Sequence, residues 1–131
     1  MNPSDIQNAG DALYDALVQR TTMAPLTTQY ADITIDDAYA IQQRMMARRL
    51  AAGERVVGKK IGVTSKAVMD MLGVFQPDFG WLTDAMVYNE GEAIPVSTLI
   101  QPKAEGEIAF VLKRTLKGPG VTAADVLAAT E

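Results

Sequence analysis

Neither histidine nor cysteine occurs among the 131 residues, and these two absences remove much of the usual catalytic repertoire. Without them the chain cannot build a zinc site of nitrogen and sulfur ligands, a Ser-His-Asp triad, a Cys-His pair or a disulfide framework. Any metal must therefore be held by oxygen, which points to magnesium, manganese or calcium, and proton transfer falls to Asp, Glu, Lys or Tyr. Long basic runs are missing too, the longest being the pairs Arg48-Arg49, Lys59-Lys60 and Lys113-Arg114. With 12 basic against 16 acidic residues and a net charge of −4, nothing favours nucleic acid or an anionic membrane as a partner. The amino terminus, Met1-Asn-Pro-Ser-Asp5, has no basic region followed by an apolar run, so a soluble cytoplasmic protein is expected. A hydrophobic content of 48% over this length supports one modest core and not two full domains.

What is present divides into two textures. From Ser4 to about Arg20, Ile6, Ala9, Leu13, Ala16 and Leu17 recur at helical spacing, with Ser4 able to cap the first turn. A Thr-rich connection containing Pro25 follows. Thr34-Ile-Asp-Asp37 then offers a cap and an acidic first turn, Ala38, Ile41 and Met45 keep helical spacing, and Arg48-Arg49 sit in the last turn before Gly53. These features predict a helix from about Asp36 to Ala52. Beyond Gly53 the apolar runs are short and broken by glycine and proline. Val56 to Val63 reads as a strand, Ser65 to Leu72 as a short helix capped by Thr64 or Ser65, and Gln76-Pro-Asp-Phe-Gly80 as a loop. Further strand-like pieces run from Trp81 to Tyr88 and around Ala93-Ile94, and Pro102 opens a strand to Leu112. Thr122-Ala-Ala-Asp125 has the form of a capping box starting a third substantial helix. The pattern is α+β, with a helical region over 1–54 and a β-rich region over 55–131.

Three places could carry chemistry. Gly53 to Lys60 nearly matches a phosphate-binding loop, but Lys60 stands where that motif needs Ser or Thr, and the segment forms a strand where the motif joins strand to helix. Lys60 has a different interest: along Val56 to Val63 it shares a face with Gly58 and Gly62, and small residues leave that face open to close approach, while Lys59 points the other way. Asp78, following Pro77, is either a turn residue or a chemical one. Glu105 and Glu107 alternate with Ala104, Gly106 and Ile108, so both acids share one strand face. There they could converge on a hard cation, or simply mark a strand running out into water.

Taken together, Gly58-Lys-Lys-Ile-Gly-Val-Thr-Ser-Lys66, Gln76-Pro-Asp-Phe-Gly80, Pro102-Lys-Ala-Glu-Gly-Glu-Ile-Ala-Phe110 and Gly118-Pro-Gly-Val-Thr122 resemble the 2-hydroxypenta-2,4-dienoate (vinylpyruvate) hydratases. That group lies within the fumarylacetoacetate hydrolase family and acts in meta-cleavage degradation of aromatic compounds. The resemblance covers essentially the whole chain and corresponds to about the first half of a family member. It implies that Glu105 and Glu107 are the first two acids of a Glu-x-Glu site for Mg2+ or Mn2+, with a third glutamate beyond Glu131. It further implies that Lys60 is the active-site lysine, that Asp78 orients water or shuttles a proton, and that Gly62, Val63, Thr64 and Ser65 border the substrate. Relatives usually carry Leu where this chain has Val63. The implied reaction is addition of water to a small 2-hydroxydienoate, giving 4-hydroxy-2-oxopentanoate, in a homo-oligomer that can associate with 4-oxalocrotonate decarboxylase. That decarboxylase is itself the nearest alternative activity, and the loop matching 76–80 in it typically lacks the aspartate. A non-catalytic fragment that serves as an assembly partner is the alternative from another class.

Overall fold

A computed structural model describes residues 1–131. The chain runs α1 (Pro3–Gln19), α2 (Leu26–Gln29), α3 (Ile35–Ala51), β1 (Val56–Gly62), α4 (Lys66–Leu72), β2 (Asp78–Thr83) and α5 (Ala123–Ala129), with 3-10 turns at Asp84–Met86 and Val96–Thr98. It forms two compact units, Met1–Gln101 and Pro102–Glu131. No helix is long and apolar enough to cross a membrane.

In the first unit the helices begin where side chains can cap them. Asn2, not Ser4, caps α1: its Oδ1 accepts from the Asp5 N–H at 2.8 Å, and Ser4 only donates to the same oxygen. Pro3 suits the first turn, where no backbone N–H is required. Thr34 caps α3 as expected and, with Asp37, forms a capping box, each side chain taking the other's backbone N–H. The short α2 occupies the Thr-rich connection, in which the sequence pattern had indicated no helix.

Helices α1 and α3 pack with Ala9 and Ile41 buried, and Gly10 allows the close approach. An ideal Cβ on Gly10 would lie 2.5 Å from Arg44 Cβ and Cγ and 2.9 Å from the Ile41 carbonyl oxygen. At the rim, Asp11 accepts a two-pronged pair from Arg44, at 2.8 and 2.9 Å, and a further bond from Arg48, whose guanidinium also lies over the Tyr14 ring. These hydrogen bonds, led by that from Arg44, hold the Asp11 carboxyl below its ordinary range.

β1 and β2 pair antiparallel, with Lys60 opposite Gly80 and Gly62 opposite Asp78, and a bulge between Val56 and Gly58. Lys59 lies on the opposite face from Lys60, over Trp81 with Nζ 5.1 Å from the ring centre. Two expectations need correction here. The Gln76–Gly80 segment is not a loop throughout, because β2 begins at Asp78: β1 extends to Gly62 and takes this segment as its partner. The strand expected from Trp81 to Tyr88 stops at Thr83, where the Asp84 carboxylate takes the Arg55 N–H and the chain enters a 3-10 turn. Ala93-Ile94 is not a strand.

The second unit departs further. The segment 102–111 has no ladder, and only an isolated bridge, Leu112 to Thr130, ties its end to the region after α5. α5 starts at the expected Thr122–Asp125 capping box. Alternation alone predicted a buried strand, but a strand needs a neighbour for its N–H and C=O groups, and none of the 131 residues supplies one. Ile108 and Phe110 are accordingly 85% and 55% exposed. Truncating Ile108 would therefore open no cavity here.

Two outcomes test this packing. Gly10→Ala gains helix propensity yet meets backbone and a stiff part of Arg44, so urea unfolding should show a net loss of about 1 to 2 kcal/mol, in the range usual for overpacking. A gain in stability would contradict the contact. Asp37 accepts a hydrogen bond from the amino terminus at 2.9 Å and two more from Thr34, which lower its pKa from 3.8 to about 2. A lowered folded pKa contributes stability above the ordinary value and loses it as pH falls toward about 2. The melting-temperature gap between the parent and Asp37→Asn should therefore narrow as pH drops through that window. A constant gap would exclude this role.

Candidate active site

On one face of the β1–β2 pair, two residues without side chains make a trough. Gly80, opposite Lys60, leaves room for the lysine stem: an ideal Cβ there would sit 3.5 Å from Lys60 Cγ and 3.9 Å from Gln42 Nε2. Gly62, opposite Asp78, does the same at the other end, where a Cβ would collide with Asp78 Oδ1 and lie 3.0 Å from Lys60 Nζ. The ammonium of Lys60 and the carboxylate of Asp78 therefore converge over Gly62. The expectation that glycines keep the Lys60 face open to close approach agrees with this arrangement.

The trough borders a cleft of about 690 Å³ whose walls include Tyr39, Leu72, Val74, Phe75 and Phe79. Lys60 and Asp78 are the only charged residues lining it, so a polar ligand group entering there meets one cation and one anion against an apolar background. One wall comes from α3. The Tyr39 and Phe79 rings stack with centroids 4.5 Å apart and planes inclined at 14°, and Gln42 Nε2 donates to the Phe79 carbonyl oxygen at 3.3 Å. Sequence reasoning missed Tyr39 and Gln42. The signal was present, since Ile35, Ala38, Tyr39 and Gln42 fall at i, i+3, i+4 and i+7, a second helical stripe beside the buried one.

Val63 lines the same cleft with φ 54, in the left-handed region. A β-branched residue is an outlier there, and such backbone strain gathers at functional sites. The turn carries the chain from β1 to α4, where Ser65 Oγ accepts the Val68 N–H at 3.2 Å and so serves as the helix cap. Thr64 lies exposed between strand and cap. The sequence-predicted residues of the first unit thus occupy consecutive structural roles: Lys60 and Gly62 on β1, Val63 in the strained turn, Thr64 and Ser65 at the helix entry, and Asp78 at the start of β2. Glu105 and Glu107 belong to the second unit. Both are exposed in the unladdered segment, neither is paired with a basic side chain, and no three acids cluster closely enough to hold a metal ion.

No family model matches the chain. Curated relatives do: it is 69% identical over 132 residues to a 2-hydroxypent-2,4-dienoate hydratase of Pseudomonas putida, covering all of this chain and 60% of that protein. It is 59% identical over 128 residues to a 2-hydroxyhexa-2,4-dienoate hydratase of Comamonas testosteroni, covering 96% of this chain and 48% of the other. Among solved structures, a 4-oxalocrotonate decarboxylase from Pseudomonas putida G7, complexed with magnesium and adipate, superposes with a TM-score of 0.93 at 33% identity, over 100% of this chain and 50% of that one. The chain spans about half the length of the relatives it matches.

The strained turn yields a stability test. A left-handed non-glycine residue costs roughly 1 to 2 kcal/mol, so Val63→Gly should be neutral to about 1 kcal/mol stabilising after allowance for glycine's greater unfolded-state entropy. Val63→Ala keeps the Cβ and loses packing, and should destabilise. If denaturant unfolding ranks glycine below alanine, the backbone at Val63 is not strained.

Proposed function

We propose, for a chain that is along its whole length a relative of the 2-hydroxypentadienoate hydratases, that it forms part of a hydratase. The reaction is addition of water to 2-hydroxypenta-2,4-dienoate to give 4-hydroxy-2-oxopentanoate, in the breakdown of aromatic compounds by meta-cleavage. The observation that carries this reading is the convergence of Lys60 and Asp78 over Gly62 beside an apolar cleft. The dienol must first become an α,β-unsaturated ketone, and water must then add at C4. Lys60 binds the enolate or carboxylate and moves the proton required for tautomerisation. Asp78, adjoining it in the trough, orients the water and takes its proton. Gly62 to Ser65 border the substrate, with the strained turn at Val63 fixing the cleft wall.

Glu105 and Glu107 would hold a divalent ion. Their chemistry fits one: both are free carboxylates, in a chain with no imidazole or thiol to attract a softer metal. Mg2+ or Mn2+ is the proposed occupant, and when bound it supplies Lewis-acid polarisation of the substrate's 2-oxo group. Magnesium in the solved decarboxylase relative supports that choice. The same relative makes 4-oxalocrotonate decarboxylation the second reading. Against it stands Asp78, since the loop resembling Gln76–Gly80 in the decarboxylases typically lacks the aspartate. A homo-oligomer, and association with the decarboxylase, belong to the same proposal.

The test uses a chain extended over the whole length of its relatives, with 2-hydroxypenta-2,4-dienoate followed by ultraviolet absorbance. Positioned acids and bases typically contribute about 10² to 10⁴ in rate, so Asp78→Asn should slow hydration by such a factor while enol-to-keto conversion continues. Lys60→Ala should impair both. Unchanged hydration in Asp78→Asn would remove that residue from the mechanism, and efficient release of carbon dioxide from 4-oxalocrotonate by the parent would favour the decarboxylase.

A further inference from the structure

We propose that Gln42, on α3, is a positioning residue for the Lys60–Asp78 pair, an inference that rests on the hydratase reading. Phe79 lies between Asp78 and Gly80 in β2, and its carbonyl oxygen accepts the Gln42 side-chain N–H at 3.3 Å. Its ring is at the same time stacked on Tyr39, one helical turn earlier on the same face of α3. One residue of β2 is thus fixed at two points, ring and carbonyl. The amide of Gln42 also reaches the trough itself, since it and the Lys60 stem both come within 4 Å of the place a Gly80 Cβ would occupy. Gln42, Lys60 and Asp78 therefore form a row over two glycines, and neither charged end has an ion-pair partner to hold it in place. What sets the level of Asp78 relative to Lys60 is the strand backbone, and Gln42 is the side chain bonded to that backbone from the helix.

The arrangement is sensitive because a displacement of about 1 Å in a catalytic pair can cost up to 10²-fold in rate. Gln42→Glu keeps the size of the side chain and replaces the donor with an acceptor facing the Phe79 carbonyl. Gln42→Asn keeps the amide and shortens its reach. In the chain extended as above, both should lower kcat for hydration about tenfold or more, with KM within about twofold of the parent and an unchanged melting temperature. A parent-like kcat in Gln42→Glu would overturn the proposal, as would a fall in rate matched by a fall in stability. A second arm does not depend on catalysis: backbone amide NMR shifts of Asp78, Phe79, Gly80, Lys60 and Gly62 should move in Gln42→Glu, and unmoved shifts would likewise overturn it. If the parent shows no hydration, the hydratase reading fails while the NMR arm still decides whether Gln42 positions the pair.

Discussion

The first unit depends on a buried charge network at the far end of α3. Arg49, 6% exposed, donates through Nε to Glu54 Oε2 at 2.8 Å and through Nη2 to Thr83 Oγ1 at 3.0 Å, and the Thr83 hydroxyl in turn donates to Glu54 at 2.5 Å. Three elements meet in it: the last turn of α3, the connection into β1 and the final residue of β2. Removing one member of such a set leaves a buried charge or hydroxyl unpartnered, which is strongly destabilising, whereas the intact set adds less to stability than its short distances suggest. Its contribution is registration. With Thr83 fully buried against Arg49, β2 has one available level on the helix, and that level sets where Phe79 meets Tyr39 and Gln42.

Registration is then read out by the two glycines. Antiparallel pairing places Gly80 against Lys60 and Asp78 against Gly62, so a lysine stem and a carboxylate lie flat across the sheet where side chains would otherwise stand. A shift of one residue would turn Lys60 to the Trp81 face and bring Lys59 into the trough. The bulge near Val57, the Thr83 anchor and the Gln42 bond to Phe79 all oppose such a shift. Strain at Val63 follows from the same demand, since the chain must leave Gly62 abruptly for Ser65 to cap α4.

Much of this was legible in the sequence because it is local. Capping boxes at Thr34 and Thr122, the glycine after α4 and the opposite facing of Lys59 and Lys60 are decided by neighbours within a few residues. Non-local pairing was harder to read. Pro77-Asp-Phe-Gly80 has the chemistry of a turn, and it became strand only because β1 lay free to take it. Gln42 is an unremarkable polar residue on a helix until Phe79, 37 positions away, supplies its partner. Alternation from Ala104 to Leu112 suggested a strand that the structure does not form, since period records which faces would differ and not whether a neighbour is present.

That last distinction bears on the two acids. Glu105 and Glu107 lie in backbone anchored at its end by the Leu112 bridge and the hydrogen bonds that join Lys113 to Ala129 and Glu131 to Val111. Among these residues no backbone hydrogen bond within 102–110 fixes the two carboxylates toward each other. Two carboxylates also leave most of an octahedral shell to water. Any preference of the proposed site that these residues carry is one of donor type, carboxylate oxygen suited to a hard divalent cation. Lys60 and Asp78 are the reverse case, with sheet pairing and α3 fixing their positions before any ligand arrives. The proposed proton-handling groups are held by sheet pairing and by α3, and the proposed metal ligands lie in a segment with no ladder of its own among these residues.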